Sequence, residues 1–375
     1  MADQSTGRWC GPAAPEGVSA AVAAFFPADA GRATIETAAG GLSGSAVARV
    51  LLPERGCWAL KTLPPAMDRP RGRWLHRFLR HLHSGPLPFI PQVAQLGDGD
   101  DVWEDPQGRL WEMLSWMPGQ PQHQPTAAEK AAAIAAVAAV HARAASFPEG
   151  PATWGMPASL KKRAARCRQL EPASWRQRLR ERGRPAGHVA DRAAAERIET
   201  ALTAAAERLE KEGAAPLRRM GASTPEPEWL LTVVRDLTAE HLLFAEVGSR
   251  SEPRVSGLID FHAARLDSPA CDLGRLLASW CGGLPKPAEV RETVHAYAAA
   301  SAACGGRSLD GSQLCERIGL MAATGVLLGL DNWVRWVVQE QRCFPNWAAV
   351  AGRLEWHVDA LPAALCRLQQ TPGSA

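Results

Sequence analysis

The sequence predicts an α+β fold in which a small antiparallel sheet precedes a larger, mainly helical part. Short strand-like runs separated by turn residues occupy residues 33–115, and long helical patterns follow Met117-Pro118-Gly119-Gln120. The chain has 375 residues, which is enough for two lobes that each bury a core. We predict an N-terminal extension (residues 1–29), an N-lobe (30–117) and a C-lobe (118–375).

The N-lobe prediction depends on strand-like runs around a glycine-rich turn and on one amphipathic helix. Gly40-Gly41-Leu42-Ser43-Gly44 separates the first two runs, and Pro53-Glu54-Arg55-Gly56 turns the chain into the third. Apolar residues recur at three- and four-residue steps from Trp74 to Leu82, which predicts a helix. The predicted strands are 34–38, 45–52, 57–63, 93–97 and 110–115.

The C-lobe prediction begins with a capped, alanine-rich helix. Thr126 is followed three residues later by Glu129, which is typical of a capping box, and the helix is expected to reach Ala145. A short β segment is predicted between Leu230 and Asp260. The other predicted helices are 158–213 with interruptions, 272–280, 288–303, 313–340 and 347–368.

Composition indicates a soluble globular protein. Hydrophobic residues make up 46% of the chain and charged residues 22%. The nine cysteines include no CxxC pair, so we expect them to be reduced. Met1 to Gly11 does not resemble a secretory signal, and the longest uncharged apolar run, residues 318–330, is too short to span a bilayer. We therefore expect a cytoplasmic protein without stable membrane insertion, and its oligomeric state stays open.

One basic stretch contrasts with the small formal net charge of +3. Residues 161–184 carry ten Lys or Arg side chains against Glu171 and Glu181. The stretch either binds an anionic polymer or membrane surface, or forms a solvated helical face. We favour the solvated face and predict no nucleic acid partner, because Trp175 is its only aromatic residue for stacking on bases.

Two aspartates next to apolar, strand-like runs carry the most specific chemistry. Asp236 stands in Val234-Arg235-Asp236-Leu237-Thr238-Ala239-Glu240-His241-Leu242-Leu243-Phe244, and Asp260 stands in Gly257-Leu258-Ile259-Asp260-Phe261. Phosphoryl transfer needs one carboxylate that accepts a proton from the attacking hydroxyl and another that holds the metal bridging the nucleotide phosphates. The pair fits this chemistry, and the alternative is two turn aspartates.

These motifs resemble those of the aminoglycoside and choline kinase-like phosphotransferases. The family pattern H-G-D-x-x-x-x-N-x-L is similar to Arg235-Asp236 through Phe244, I-D-F/W to Ile259-Asp260-Phe261, and D-P-x-x-D-L-A to Asp267-Ser268-Pro269-Ala270-Cys271-Asp272-Leu273. Further matches follow the family's order: Gly40 to Gly44 with the nucleotide loop, Ala59-Leu60-Lys61 with the phosphate-binding lysine, Glu112 to Trp116 with the adenine hinge, and Val140-His141 with the A-L-H helix. Their joint order is more specific than any single match.

The resemblance covers roughly residues 30–340 and implies a two-lobed, protein-kinase-like fold with a nucleotide-binding N-lobe. It implies ATP and Mg²⁺ as cofactors and a catalytic loop within residues 230–262 of the C-lobe. Asp236 is the implied catalytic base, Asp260 the implied principal metal ligand, and Asp272 a brace for the catalytic loop. The implied nucleotide-binding residues are Gly40, Gly41, Ser43, Gly44, Lys61, Glu112 and Leu114.

His241 departs from the family pattern because it replaces an asparagine. Imidazole suits Mn²⁺ better than Mg²⁺, so His241 is either a ligand of an altered metal site or a residue that packs against Asp236. Together with Ile259-Asp260-Phe261-His262, it also resembles the lipopolysaccharide core kinases that phosphorylate heptose or Kdo.

The first helix departs more strongly from the pattern. No Asp or Glu occurs between Arg69 and Ser84, so this helix cannot supply the carboxylate that normally pairs with the nucleotide lysine. Lys61 is therefore held by another carboxylate or not held at all. We predict a phosphotransferase, and the alternative is a nucleotide-binding pseudokinase with a regulatory or scaffolding role.

The phosphate acceptor stays open between a small molecule and a saccharide. Trp333, Trp336 and Glu340 fall on one side of a predicted helix that also carries Asp331. They either line an acceptor pocket or pack in the core, and core packing is favoured for the tryptophans. Acidic residues there suit a cationic acceptor, whereas residues 161–184 suit an anionic one.

Overall fold

The chain forms two compact units. The computed structural model describes residues 8–9, 17–37, 47–170, 172–181, 189, 191–223, 226–245, 252–281, 284–344 and 346–370. Unit 1 comprises Met1–Gln122, Ser146–Glu149 and Glu240–Ala264. Unit 2 comprises His123–Ala145, Gly150–Ala239 and Arg265–Ala375.

The strands are short and are named in chain order. They are β1 (Arg8–Trp9), β2 (Thr34–Thr37), β3 (Val47–Leu52), β4 (Gly56–Thr62), β5 (Trp103–Glu104), β6 (Leu110–Ser115), β7 (Gln120–Pro121), β8 (Thr153–Gly155), β9 (Glu228–Val233), β10 (Leu242–Phe244), β11 (Val255–Leu258) and β12 (Arg265–Asp267).

The helices are longer and lie mostly in unit 2. They are α1 (Val18–Phe25), α2 (Arg69–His83), α3 (Ala127–Ala144), α4 (Ala158–Gln169), α5 (Pro172–Glu181), α6 (Arg192–Glu212), α7 (Ala214–Ala222), α8 (Ala270–Trp280), α9 (Pro287–Ala303), α10 (Gly311–Trp333) and α11 (Trp347–Gln369). A π-helix (Val334–Gln339) continues α10, and 3₁₀ turns cover Ala30–Arg32 and Ala239–His241. The combination of mostly antiparallel sheets with many helices confirms the predicted α+β fold.

The main sheet of unit 1 has the order β1-β2-β3-β4-β6-β5, with β1 and β2 parallel and the other neighbours antiparallel. Helix α1 packs in the core of this sheet, because its apolar side chains recur at helical spacing and are buried. These side chains are Val18, Ala21, Val22 and Phe25. The segment from Gly17 onward, predicted as part of an N-terminal extension, thus belongs to the core of unit 1.

Helix α2 includes the predicted stretch from Trp74 to Leu82 but begins five residues earlier, at Arg69. The Asp68 carboxylate accepts a hydrogen bond from the backbone N–H of Arg71, which caps the helix. Its buried face contains Leu75, Phe78, Leu79 and Leu82 as expected, and also His76. The predicted strand 93–97 is wrong: the chain makes only an isolated bridge between Val93 and Leu114, since the N–H of Leu96 donates to the carbonyl of Asp100 and turns the chain back.

A second sheet in unit 1 explains why residues 240–264, predicted as part of the C-lobe, cluster there. Strand β10 pairs with β11 and with β7, all antiparallel. The pairing of β10 and β11 is extended by one hydrogen bond, in which the N–H of Ile259 donates to the carbonyl of His241 at 2.9 Å. This register places His241 beside the residue that follows Ile259, namely Asp260.

Unit 2 is built from helices around a three-stranded antiparallel sheet of order β12-β9-β8. The predicted capping box is confirmed at α3, where the side chains of Thr126 and Glu129 each accept from the other residue's backbone N–H. Helix α10 packs against α8, α9 and α11. Within the described residues, Gly311–Gln339 is long and apolar enough to cross a bilayer, but 72% of its most apolar window is buried inside the protein, as in a core helix.

Candidate active site

Lys61 is held by a carboxylate, although none comes from α2. It lies on β4, opposite Val47 of β3 and Glu112 of β6. Its ammonium donates a hydrogen bond to Asp260 Oδ1 at 3.0 Å. The two expected nucleotide and metal residues are therefore neighbours in unit 1, and the lysine is already oriented.

Asp260 is surrounded by cationic and imidazole groups. Besides Lys61, His241 Nε2 lies 3.7 Å from Oδ2 and His262 Nδ1 lies 3.4 Å from Oδ1. Burial alone would raise the pKa of Asp260, but Lys61, His262 and His241 outweigh it and lower the pKa. Asp260 is therefore ionised at neutral pH, as a metal-binding carboxylate must be.

The metal expectation fits this donor set only in part. Asp260 offers carboxylate oxygens and His241 an imidazole nitrogen facing the same carboxylate. In the part of the chain that the structure describes, no group of three or more His, Cys, Asp or Glu side chains is arranged to hold an ion. Mg²⁺ in kinase sites takes one or two carboxylates and otherwise waters and substrate phosphates, so Mg²⁺ binding at Asp260 stays a prediction.

Glu112 makes contacts that the sequence does not predict. Its side chain is 1% exposed, and its two oxygens face His76 Nε2 at 2.7 Å and His262 Nε2 at 2.6 Å. Burial alone would raise its pKa, but the two histidines hold the pKa of Glu112 well below its usual range. Leu114, two residues on, pairs with Ala59 of β4. Roles for Glu112 and Leu114 in nucleotide binding stay predictions.

The predicted nucleotide loop, with Gly40, Gly41, Ser43 and Gly44, lies outside the described residues. Its flanks are described: Thr37 at the end of β2 pairs with Ala48 of β3.

Asp236 lies in unit 2, in the loop after β9. Arg275 of α8 donates to Asp236 Oδ1 from Nε at 2.9 Å and lies 2.7 Å away through Nη2. Both side chains are 47% exposed. An exposed pair of this kind contributes little to stability, about 0–1 kcal/mol, so its main effect is to orient the carboxylate. Asp236 is thus both oriented and accessible to a solute.

Asp272 braces this loop, as the resemblance implies. Its side chain is fully buried and accepts hydrogen bonds from the backbone N–H groups of Val234 at 2.9 Å and Arg235 at 2.6 Å. His141 of α3 lies 3.0 Å from Asp272 Oδ2, and the other ring nitrogen of His141 contacts the hydroxyl of Tyr297 at 2.9 Å. Asp272 therefore has the predicted bracing role, with His141 and Tyr297 behind it.

The predicted acceptor wall is largely packing. Trp333 is 4% exposed and meets Trp336 edge to face at 5.2 Å. Asp331 pairs with Arg166 at 2.6 Å, and Glu340 pairs with Arg342 at 2.5 Å. Core packing is therefore confirmed for Trp333, and arginines already neutralise the two carboxylates.

Several arginines of the basic stretch 161–184 contact other residues of unit 2. Arg163 donates to Thr324 Oγ1 at 2.9 Å, and Arg176 pairs with Glu207 and Glu210. These contacts favour a structural role for this stretch over polymer binding.

The family model that matches the chain is described as the phosphotransferase enzyme family, and it matches residues 34–306. The chain belongs to this family. The match covers well over half of the sequence and includes Lys61, Asp236, Asp260 and Asp272. The protein is therefore a phosphotransferase, and the aminoglycoside phosphotransferase resemblance is confirmed.

Solved structures of phosphotransferases share its fold. One is spectinomycin phosphotransferase APH(9)-Ia in complex with ADP and spectinomycin, with 12% identity, a TM-score of 0.51, and coverage of 88% of this chain and 92% of that chain. Another is a microcompartment-associated aminopropanol kinase, with 14% identity, a TM-score of 0.52, and coverage of 89% and 94%. A comparison with curated proteins gives no match. At these identities the likeness confirms the protein-kinase-like fold and nothing finer.

Three residues that contact Glu112 or Asp236 were not predicted as site residues from the sequence. His76 is a histidine within the apolar stripe of α2, and such a residue is ordinarily a core histidine. His262 and Arg275 follow recognisable motifs but have no partner within a few residues, since Glu112 and Asp236 are distant in sequence. The one sequence clue was that α2 lacks any carboxylate.

Proposed function

We propose that this phosphotransferase uses ATP and transfers the γ-phosphate to a hydroxyl group of a small molecule or saccharide. The observation that carries the proposal is the contact between Lys61 and an ionised Asp260, 3.0 Å apart in unit 1. A lysine and a carboxylate so placed are what nucleotide phosphates and their metal require. The contact also removes the main argument for a pseudokinase, namely that nothing holds Lys61.

Each residue of the proposed site has a separate task. Lys61 binds the α and β phosphates, for which its ammonium is already oriented. Asp260, with His241 beside it, would hold Mg²⁺, or Mn²⁺ as the alternative. When bound, such an ion neutralises charge on the phosphate oxygens. Asp260 and Lys61 otherwise act by binding and orienting the nucleotide.

Asp236 acts on the acceptor. Arg275 and the backbone brace at Asp272 fix the position of its carboxylate. As the acceptor oxygen forms a bond to the γ-phosphorus, the bond from that phosphorus to the bridging oxygen breaks and ADP leaves. The hydroxyl proton passes to Asp236.

The test compares matched variants of the full chain. Asp236→Asn is expected to abolish transfer to any acceptor found by screening. ATP binding should stay nearly normal, because the Asp236 carboxylate acts on the acceptor and not on the nucleotide. Asp260→Asn is expected to remove the Mg²⁺-dependent part of ATP binding. Asp359→Asn and Glu252→Gln remove exposed carboxylates of units 2 and 1 and serve as controls. Transfer by Asp236→Asn, or unchanged Mg²⁺-dependent binding by Asp260→Asn, would contradict the assignment.

A further inference from the structure

A chain of polar side chains connects α2 to Asp260. Glu112 on β6 accepts a hydrogen bond from His76 of α2 through one oxygen and from His262 through the other, at 2.7 and 2.6 Å. His262 Nδ1 in turn lies 3.4 Å from Asp260 Oδ1. We call His76, Glu112 and His262 the histidine–glutamate relay. None of the tasks assigned above uses His76 or His262.

Charges of opposite sign alternate in the part of this chain that runs from Arg80 through Asp101 and His76 to Glu112. At its outer end, Arg80 donates to Asp101 Oδ2 at 2.7 Å, and His76 Nδ1 lies 3.0 Å from Asp101 Oδ1 at an ion-pair distance that is not aligned as a hydrogen bond. Burial alone would lower the pKa of His76, but Asp101 and Glu112 outweigh it and raise the pKa to about 9. His76 is therefore a cation between two carboxylates at neutral pH.

Stability alone gives little reason for such an arrangement. His76 and Glu112 are 0% and 1% exposed, so both charges are removed from water. The desolvation of buried ion pairs commonly offsets their attraction, and apolar residues of similar volume do as well or better. A well-formed buried pair beside a binding site is better explained by the orientation that it imposes on its neighbours.

Helix α2 makes two further contacts with the segment that follows Asp260. Phe78 packs edge to face against Phe261, with ring centroids 6.3 Å apart. Arg71 donates a hydrogen bond to the carbonyl of Ala264. Together with the relay, these contacts attach α2 to residues 260–264, so the position of the helix and that of the Asp260 carboxylate are coupled.

The family resemblance implies that the first helix supplies a carboxylate to the nucleotide lysine. In this chain the polarity is reversed: the helix supplies the cation His76, and the carboxylate Glu112 stands on β6, directly opposite Lys61 in the β4–β6 register. Lys61 has Asp260 as its partner instead.

We propose that His76, Glu112 and His262 are positioning residues that hold Asp260 for metal and nucleotide binding, in place of a carboxylate on α2. The proposal rests on the proposed function, because it assumes that Asp260 binds the metal. Glu112 then acts on the nucleotide through His262 and Asp260, not by direct contact. Partners that orient a metal-binding carboxylate typically change metal affinity by about 10–100-fold when removed.

The experiment measures ATP affinity with and without Mg²⁺ for the full chain and four variants. His76→Gln, Glu112→Gln and His262→Gln are expected to weaken Mg²⁺-dependent ATP binding by about tenfold. Binding without Mg²⁺ should change much less, since it does not use Asp260 as a metal ligand. His83 lies on the same helix, and within the described residues its ring bonds to Ile90 and Gln92, so His83→Gln is the matched control. The ratio of the two affinities is the deciding readout, because a purely structural role would lower the unfolding temperature without changing that ratio.

A double-variant cycle covers the case in which Glu112→Gln does not fold. In the relay, His76 and His262 are linked through Glu112, to which both bond. If the relay acts as a unit, the double variant His76→Gln/His262→Gln should lose scarcely more Mg²⁺-dependent affinity than either single variant. Unchanged affinity ratios in folded variants would overturn the relay alone. A wild-type protein that does not bind Mg²⁺ and ATP at all would overturn the proposed function, and the relay with it.

Discussion

Two residues of the candidate site have backbone conformations that side chains other than glycine rarely adopt. Arg235 has φ of 69° and Asp260 has φ of 63°. Each costs on the order of 1–2 kcal/mol relative to an ordinary conformation. Asp272 holds the first through the N–H of Arg235, and Lys61 bonds to the side chain of the second. Strain at Asp260 and at the neighbour of Asp236 favours a functional reason for the orientation of the two carboxylates. No sequence pattern indicated these backbone conformations.

His241 is the residue whose role the sequence left most open. Its ring nitrogen lies 3.7 Å from Asp260 Oδ2 and therefore faces the expected metal ligand. If the ring binds the metal, stabilisation by ATP should be greater with Mn²⁺ than with Mg²⁺, because imidazole suits Mn²⁺ better. His241→Asn should then shift the preference to Mg²⁺.

The measurement for His241 is a titration of ATP-dependent thermal stabilisation with Mn²⁺ and with Mg²⁺, for both proteins. Identical metal preference of wild type and His241→Asn would eliminate coordination and leave a packing role.

At the scale of single elements, local sequence signals predicted the helices whose formation depends on local interactions. The apolar spacing from Trp74 to Leu82 predicted α2 without its first residues, and the Thr126–Glu129 capping box predicted α3 close to its observed bounds. The strand predicted at 93–97 failed because a turn closed by Leu96 and Asp100 interrupts it. Helix α7 was missed, since the helical region predicted from residue 158 was ended at Gly213, just before this helix begins.

The loop that carries Asp236 depends on α8 and α3 for its conformation. Asp272→Asn replaces one acceptor oxygen by an amide donor that faces backbone N–H groups or His141. We expect the variant to lose about 2–4 kcal/mol of unfolding free energy and most of its turnover. ATP affinity should change little, because Lys61 and Asp260 belong to unit 1.

The control for Asp272→Asn is Tyr297→Phe, which deletes only the hydroxyl that contacts His141 and should cost about 1 kcal/mol. Chemical denaturation and steady-state turnover with an identified acceptor measure the two effects. Wild-type turnover in a destabilised Asp272→Asn protein would mean that the brace supports folding but not catalysis.

At the scale of the whole molecule, the order of motifs along the chain predicted the fold and the main carboxylates. It did not predict side-chain partners, because those partners are far apart in sequence: Lys61 and Asp260 are separated by 199 residues, and Glu112 and His262 by 150. A motif gives the residue types needed at a site, while pairing depends on the register of β4, β6 and β11. The reversed polarity between α2 and β6 follows from the contact of His76 with Glu112, two residues that are 36 positions apart in sequence.

The stability of the folded chain should depend on pH through His76. The pKa of His76 is raised from 6.5 to about 9, because Asp101 and Glu112 together outweigh the opposing effect of burial. A group whose pKa is raised on folding stabilises the folded state fully below its unfolded pKa, and this stabilisation is lost as the pH rises through the folded pKa. We therefore expect the unfolding free energy to fall between about pH 7 and pH 9, by about 3 kcal/mol at most from this group.

The carboxylates that face His76 do not titrate in this pH window. Asp101 and Glu112 have lowered pKa values and stay ionised throughout it, while Arg80 and His262 lie one step further along the chain of contacts. Burial raises the pKa of Cys167 and of Cys281 to about 11, so these thiols titrate above the window. Chemical denaturation at several pH values should therefore give a smaller decline for His76→Gln than for wild type or His83→Gln, since only His76→Gln removes the titrating ring. Parallel declines in all three proteins would show that another group sets the alkaline limit and that His76 is not a stabilising cation.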